Sequence, residues 1–150
     1  MRIKTISFLI FIIVIAISCS KTSKLIKLQK SYIPAVVSNI YIGIPLTDFK
    51  KIRAINNLSV NDGEIITYVK EEYNKDSIPL IHYQFGHDKK LYEIIIEYDT
   101  IFHTKEKYIE KYGTPNNGKE WLITLDKTLK LKIWVYQNRL CIADSKYFKN

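Results

Sequence analysis

Cysteine, histidine, proline and glycine are all scarce in this sequence. Its 150 residues contain two cysteines, three histidines, four prolines and five glycines. Few prolines and glycines, together with an apolar fraction of 47%, argue against disorder and favour a globular chain. The sequence also lacks a Gly-rich phosphate loop, a Gly-x-Ser-x-Gly elbow and a His-Glu-x-x-His motif, so it gives no support to the enzyme classes that those motifs mark.

The few histidines do not predict a metal centre. A metal ion needs three or four converging ligands, and nothing in the spacing of His82, His87 and His103 brings them together. We therefore expect surface histidines and neither a metal nor a cofactor. Glu93 and Glu97 share one face of a predicted strand and could be taken for an acid/base pair. We expect them to lie on the solvent face instead, and we predict that the protein is not an enzyme.

Long blocks of like charge are absent as well. The formal net charge is +8, but the lysines are spread along the chain among aspartates and glutamates. The sequence therefore predicts a solvated, lysine-rich surface and no nucleic-acid partner. The positive balance also favours a weak attraction to anionic lipid head groups.

The N-terminus contains the clearest signal in the chain. Arg2 and Lys4 precede an uncharged apolar run at residues 6–17, which has the length of a signal-peptide core, about 12 residues. A spanning helix would need roughly 20 residues, so a transmembrane anchor is disfavoured. We predict that residues 1–18 are a signal peptide, and no second candidate span follows it.

The end of this signal resembles a known processing motif. The sequence Ala16-Ile17-Ser18-Cys19 resembles the lipobox of bacterial lipoproteins, and the resemblance implies that Cys19 becomes the first mature residue and carries acyl chains. Ser20 follows where an aspartate would favour the inner membrane, so the resemblance implies an outer-membrane lipoprotein facing the periplasm. Ordinary secretion, with Cys19 left as a plain thiol, remains the alternative.

Cys141 lies in an apolar run and is expected inside a strand.

The remaining chain predicts an α+β protein. Residues 19–38 are interpreted as a lipidated tether, flexible at residues 20–24, and residues 39–150 as a single α+β domain. A helix is expected at residues 47–55, with Thr47 as its N-cap or with Pro45 as an early helical residue. The predicted helices and strands alternate as follows: a helix at 47–55, strands at 64–70, 80–85 and 91–98, a helix at 104–112, and strands at 120–125, 129–136 and 139–143.

The order of helix, strand and hairpin occurs twice in this prediction, which suggests a tandem repeat. If the halves are related, about six antiparallel strands form one sheet and two helices cover one of its faces. Neither half could bury its apolar sheet face alone, so the two are expected to pack as one domain.

Two short motifs carry a family resemblance. The first half opens with Ile42-Gly43-Ile44-Pro45-Leu46-Thr47-Asp48-Phe49, which leads into the first predicted helix, and Tyr112-Gly113-Thr114-Pro115 ends the second. They resemble the entry and exit of the helical unit in SmpA/OmlA-like outer-membrane lipoproteins and in β-lactamase-inhibitor-protein-like tandem domains. This resemblance implies a non-catalytic, protein-binding module of the cell envelope.

Tyrosine is abundant, with eleven residues. Most of them are expected in the sheet core, because tyrosine is an ordinary strand residue. Four lie outside the clearest strands and are predicted to contact a partner. These four are Tyr32, Tyr41, Tyr73 and Tyr147.

Two other functions remain open from the sequence. A small-ligand or glycan binder would present exposed Tyr83, Trp134 and Tyr136 in a groove. A hydrolase would need a buried carboxylate or histidine with a perturbed pKa in a cleft.

Overall fold

A seven-stranded antiparallel sheet forms the centre of the computed structural model, which describes residues 23–53, 58–100 and 104–148. Three α-helices accompany the sheet in these residues, so the predicted α+β class is confirmed. The helices are α1 (23–32), α2 (Leu46–Ile52) and α3 (Thr104–Tyr112), and single 3₁₀ turns occupy Ala35–Val37 and Ser145–Phe148. The strands are β1 (Leu58–Asp62), β2 (Thr67–Lys75), β3 (Ile78–Phe85), β4 (Leu91–Glu97), β5 (Glu120–Thr124), β6 (Lys130–Tyr136) and β7 (Arg139–Asp144).

The strand order supports the predicted twofold arrangement. The strands lie in the order β1-β2-β3-β4-β7-β6-β5, and every neighbouring pair is antiparallel. Each half therefore runs from a helix through three strands, and the third strands, β4 and β7, meet at the centre with Ile94 opposite Ile142. β1 is an additional edge strand on the first half.

One face of the sheet is covered by the helices, as predicted. Alternate residues of each strand point to this face, among them Tyr83 on β3 and Trp121 on β5, and they join one apolar core. Phe49 of α2 contacts Tyr83 edge to face with ring centroids 4.7 Å apart, and Tyr112 of α3 contacts Trp121 in the same way at 5.6 Å. We call this side the covered face and the opposite side the open face.

The covered face also contains a buried ion pair. Nη1 of Arg53, at the end of α2, lies 3.6 Å from Oε1 of Glu71 on β2, and both side chains are buried. The Tyr83 hydroxyl donates a hydrogen bond of 2.6 Å to the other carboxylate oxygen, and Nη2 of Arg53 donates one of 2.8 Å to the Val36 carbonyl. The Glu71 charge is therefore paired on both oxygens.

Residues 23–37 of the predicted tether are folded against the domain. They form α1 and a 3₁₀ turn, and Ile33 and Val37 are part of the core. Gln29 is buried in α1 and makes two hydrogen bonds with the backbone of Ile42. The helix ends two residues before Pro34, since a proline removes a backbone N–H donor and clashes with the preceding turn of a helix.

The first predicted helix is shorter than expected and begins one residue earlier. α2 begins at Leu46 after an N-cap at Pro45, whereas Thr47 was predicted as the cap. Pro45 takes an extended conformation there, and its carbonyl accepts from the Phe49 backbone N–H at 2.9 Å, so the chain enters the helix at the proline. The helix ends at Ile52, with Arg53 as C-cap, and the last part of its predicted range, 54–55, lies outside the described residues. The second predicted helix matches α3.

The strand predicted at residues 64–70 is wrong in its first half. Residues 63–66 form the connection between β1 and β2, and β2 begins only at Thr67. β1 was not predicted, because its side chains are mostly exposed and lack the alternation of a half-buried strand. The Thr67 hydroxyl donates to Asp62 across this hairpin at 2.6 Å.

None of the helices in the described residues is long and apolar enough to cross a membrane.

Candidate functional site

A groove of about 420 Å³ lies at one end of the open face. Its floor comes from β3 and β4, and its walls come from the β1–β2 connection, the β3–β4 turn and the C-terminal 3₁₀ turn. The residues that line it are Ile65, Ile66, Gln84, Gly86, His87, Tyr92, Glu93, Tyr147 and Phe148. The groove therefore combines three loops that are far apart in the sequence.

The close approach of two of these walls depends on a glycine. A Cβ atom at Gly86 would lie 3.1 Å from the Tyr147 hydroxyl and 3.2 Å from Oδ1 of Asp88. Both distances are tighter than ordinary van der Waals contacts, so a larger residue at position 86 would push Tyr147 away from the β3–β4 turn. Gly86 thus lets the C-terminal turn close over this end of the sheet.

Glu93 provides the one carboxylate among the residues that line the groove. It lies on β4 between Gln84 of β3 and Ala143 of β7, and its residue is only 5% exposed. Burial raises its pKa from 4.5 to about 7. Its carboxylate makes no hydrogen bond or ion pair with any part of the chain that the structure describes.

The prediction that Glu93 lies on the solvent face is therefore wrong about its exposure. Its side chain lies on the open face, but it is buried there. The C-terminal turn causes the difference. Tyr147 stacks on Tyr92 with ring centroids 4.4 Å apart, and Phe148 contacts Trp134 edge to face at 5.3 Å. These rings cover the sheet around Glu93 and remove most of its contact with water.

The walls of the groove are apolar and partly exposed. Ile65 is 75% exposed, and Ile66 and Tyr147 are exposed as well. The Tyr92 hydroxyl donates a hydrogen bond of 2.6 Å to Oε1 of Gln84, so these two polar groups satisfy each other. Exposed apolar side chains around a concave site are typical of surfaces that bind a partner or a ligand.

A second polar cluster lies further along the open face, and its groups are already paired. Nε of Arg139 donates to Glu97 at 2.9 Å, and Nε2 of His82 lies 3.7 Å from the same carboxylate oxygen. The Tyr68 hydroxyl is hydrogen-bonded to Nδ1 of His82. Burial lowers the pKa of His82, although the Glu97 charge opposes that effect. His82 is therefore not the free surface histidine that we expected, and Glu97 belongs to this cluster rather than to a pair with Glu93.

The other residues singled out for chemistry lie apart from one another. His87 lines the groove, and His103 lies outside the described residues. Cys141 is buried on β7, as predicted, and burial raises the pKa of its thiol to about 12. In residues 23–53, 58–100 and 104–148, no three His, Cys, Asp or Glu side chains come close enough to hold a metal ion.

The four tyrosines predicted to contact a partner do not form one surface. Tyr32, Tyr41 and Tyr73 are half-buried and pack against the core of the covered side. Burial raises the pKa of Tyr41, and the Asp48 charge adds to the effect. Tyr147 alone lines the groove. Their role in partner binding stays a prediction.

Cys19, the predicted lipidation site, lies outside the described residues. Ile65, Ile66 and Phe148 also line the groove, although they were not predicted as site residues. A signal for them existed: the two isoleucines directly follow a turn, and Phe148 adjoins a tyrosine already singled out. No family model, curated protein or solved structure matches this chain.

Proposed function

We propose that the protein is a lipid-anchored lipoprotein of the cell envelope that acts as a non-catalytic protein-binding or scaffold module, and that the open-face groove holds a segment of its partner. In this proposal the acyl chains on Cys19 attach it to the outer membrane on the periplasmic side. The likeness of its N-terminus to lipoprotein signals supports the anchor, and the groove supports the binding role.

The observation that carries the binding role is Glu93, a buried carboxylate without a partner in the described residues and surrounded by exposed apolar walls. A partner segment that covers Ile65, Ile66 and Tyr147 would remove apolar surface from water, which favours association. A donor group on the same segment, such as a backbone N–H or an ammonium, would satisfy the Glu93 carboxylate. A hydrogen bond to a charged group contributes roughly 1.5–3 kcal/mol.

The same arrangement is poorly suited to catalysis. A general base acts on a nucleophile or a water held within hydrogen-bond reach and is usually oriented by a third group. No such hydrogen-bonded chain of side chains leads to Glu93 in the described part of the molecule. We therefore assign the groove to binding.

A photo-crosslinking amino acid at position 65 tests this proposal in the acylated protein within its native envelope. We expect a discrete adduct with an envelope protein, because Ile65 is the most exposed apolar wall of the groove. The matched control is position 52, where an exposed isoleucine lies on α2 outside the groove. The same adducts from both positions, or none from position 65, would contradict the proposal.

A small-ligand or glycan binder is the second candidate, and one observation favours it. The groove volume falls within the range of small-molecule sites, about 300–1,000 Å³. The three aromatic residues expected for this function do not come together, however, because Tyr83 is buried on the covered face while Tyr136 is exposed. Native mass spectrometry of the protein released gently from membranes would reveal a retained small molecule, and the crosslinking experiment would then give no protein adduct.

A further inference from the structure

The first 47 residues of the chain carry charge of only one sign. The first acidic residue is Asp48. Before it, and after the predicted signal peptide, four lysines occur at a spacing of three residues. They are Lys21, Lys24, Lys27 and Lys30.

Helix α1 presents three of these lysines to solvent. Lys24, Lys27 and Lys30 are exposed, and Leu28 beside them is 40% exposed. Gln29, which is 1% exposed, marks the side of the helix that faces the domain. At about 100° per residue, Lys24 and Lys27 lie on the side opposite Gln29. The outward surface of α1 is therefore basic, with one apolar side chain in it.

This surface is fixed relative to the rest of the domain. The Ile42 backbone N–H donates to Oε1 of Gln29 at 2.9 Å, and Nε2 of Gln29 donates to the Ile42 carbonyl at 3.3 Å. The Tyr112 hydroxyl of α3 donates to the Tyr32 carbonyl at the end of α1. Because α1 is attached to the covered side, its basic surface points away from the sheet.

The distance along the chain to the predicted anchor is short. Only residues 20–22 separate Cys19 from the first described residue of α1. Even a fully extended chain spans at most about 3.6 Å per residue, which is roughly 14 Å over these four steps. The Debye length at physiological salt is about 8 Å, so the described start of α1 would lie within about two Debye lengths of a membrane that holds Cys19. Lys30 is about 10 Å further along the helix at 1.5 Å per residue, so a helix lying along the membrane keeps all three lysines within that range.

We propose that the outward surface of α1, with Lys24, Lys27, Lys30 and Leu28, lies on the anionic lipid head groups of the membrane in which the protein is anchored. This proposal rests on the acylation of Cys19 in the proposed function. The membrane is the favoured occupant, because the short connection to Cys19 places lipid close to α1, whereas an acidic protein would have to compete with it. The open face and its groove then point away from the bilayer, into the space where a partner arrives.

The size of the effect can be stated as an affinity ratio. Each lysine close to an anionic membrane surface increases association by roughly fivefold, so three lysines together give about 100-fold. The effect disappears at high salt, because screening shortens the reach of each charge to about 3 Å at 1 M.

Amine labelling of the acylated, full-length protein in vesicles tests the proposal. Intact mass first verifies the acyl chains on the reconstituted protein. A membrane-impermeant reagent is then applied in vesicles of phosphatidylcholine alone and in vesicles that also contain phosphatidylglycerol. We expect labelling of Lys24, Lys27 and Lys30 to fall about tenfold in the anionic vesicles at low salt and to recover in 1 M salt. Lys119 and Lys127, which are exposed elsewhere, should be labelled equally in both.

Amide hydrogen exchange provides the matched variants. The triple substitution Lys24→Gln, Lys27→Gln and Lys30→Gln should abolish the slowing of exchange in residues 23–32 on anionic vesicles, and Lys119→Gln with Lys127→Gln should keep it. Equal labelling in both kinds of vesicle, with the acyl chains present, would overturn this inference and leave the proposed binding function standing. Protection seen only in native membranes would also overturn it in favour of an acidic protein partner. A protein without acyl chains would overturn the inference together with the proposed anchor.

Discussion

The two faces of the sheet each bury one glutamate, and they treat it differently. Glu71 on the covered face is 2% exposed and has Arg53 and the Tyr83 hydroxyl as partners. Glu93 on the open face is 5% exposed and has no such partner in the described residues. A buried charge costs free energy unless it is paired. We interpret Glu71 as a residue that stabilises the fold and Glu93 as the residue that the proposed ligand or partner contacts.

Removing the cation from the covered face should produce the largest effect. The substitution Arg53→Met leaves Glu71 buried without its charge partner and frees the Val36 carbonyl from its hydrogen bond. We expect the free energy of unfolding at pH 7 to fall by about 3–5 kcal/mol. Urea denaturation followed by circular dichroism measures this change.

The double variant Arg53→Met with Glu71→Gln is the control for that prediction. Glutamine keeps an oxygen that accepts from the Tyr83 hydroxyl but carries no charge, so most of the lost stability should return. If the double variant were as unstable as the single one, the loss would come from packing around Arg53, and the covered face would not differ from the open face in the way proposed.

Neutralising Glu93 on the open face should instead raise the free energy of unfolding. Burial raises the pKa of Glu93 from 4.5 to about 7, so the folded protein binds more protons than the unfolded chain between these values. Stability therefore falls as the pH rises through this window and stays low above it. We expect Glu93→Gln to raise the free energy of unfolding by about 1–3 kcal/mol at pH 8 and to change it little at pH 4.5.

Urea denaturation at both pH values checks this prediction, with Glu97→Gln as the matched control on the same face of β4. Glu97 has Arg139 as a partner at 2.9 Å, so its neutralisation should not stabilise the protein at pH 8. A loss of stability in Glu93→Gln at pH 8 would mean that the carboxylate has a favourable partner in the folded protein, and the contrast between the two faces would fail.

The smallest expected effect concerns the second polar cluster of the open face, around His82. Burial lowers the pKa of His82, and the charges of Arg139 and Lys70 act in the same direction, while Glu97 opposes them. We expect the NMR titration midpoint of the His82 ring to lie below 6.5, and Glu97→Gln to lower it further. The free energy of unfolding should fall slightly as the pH drops below 6.5, because the unfolded chain then binds more protons than the folded protein. A midpoint above 6.5 would show that Glu97 outweighs burial.

Local pattern predicted most of the sheet but not the covering of its second face. Alternation along β4 placed Glu93 and Glu97 on one face correctly, because side chains alternate strictly along a strand. It could not predict that Tyr147, more than fifty positions away in the chain, would stack on Tyr92 and bury Glu93. The groove depends on such long-range contacts, whereas α3 could be predicted from residues within one segment.

Two other misses have the same origin. α1 and the residue that follows it pack Leu25, Tyr32 and Ile33 against the core. The polar Gln29 interrupts this stripe, and its burial depends on its hydrogen bonds to the backbone of Ile42. β1 is an exposed edge strand, so its sequence carries little of the alternation that burial imposes. In both elements, hydrogen bonds to a neighbouring segment add to the packing, and a pattern found along one element does not reveal them.

The thiol of Cys141 lies on the open face between Ile95 of β4 and Trp134 of β6, at the junction of the two halves. Because only the thiolate reacts readily and burial raises the pKa of this group to about 12, an added disulfide reagent modifies it only when local opening exposes the thiol to water. The rate of that modification therefore measures how often the centre of the sheet opens to solvent, without any engineered label.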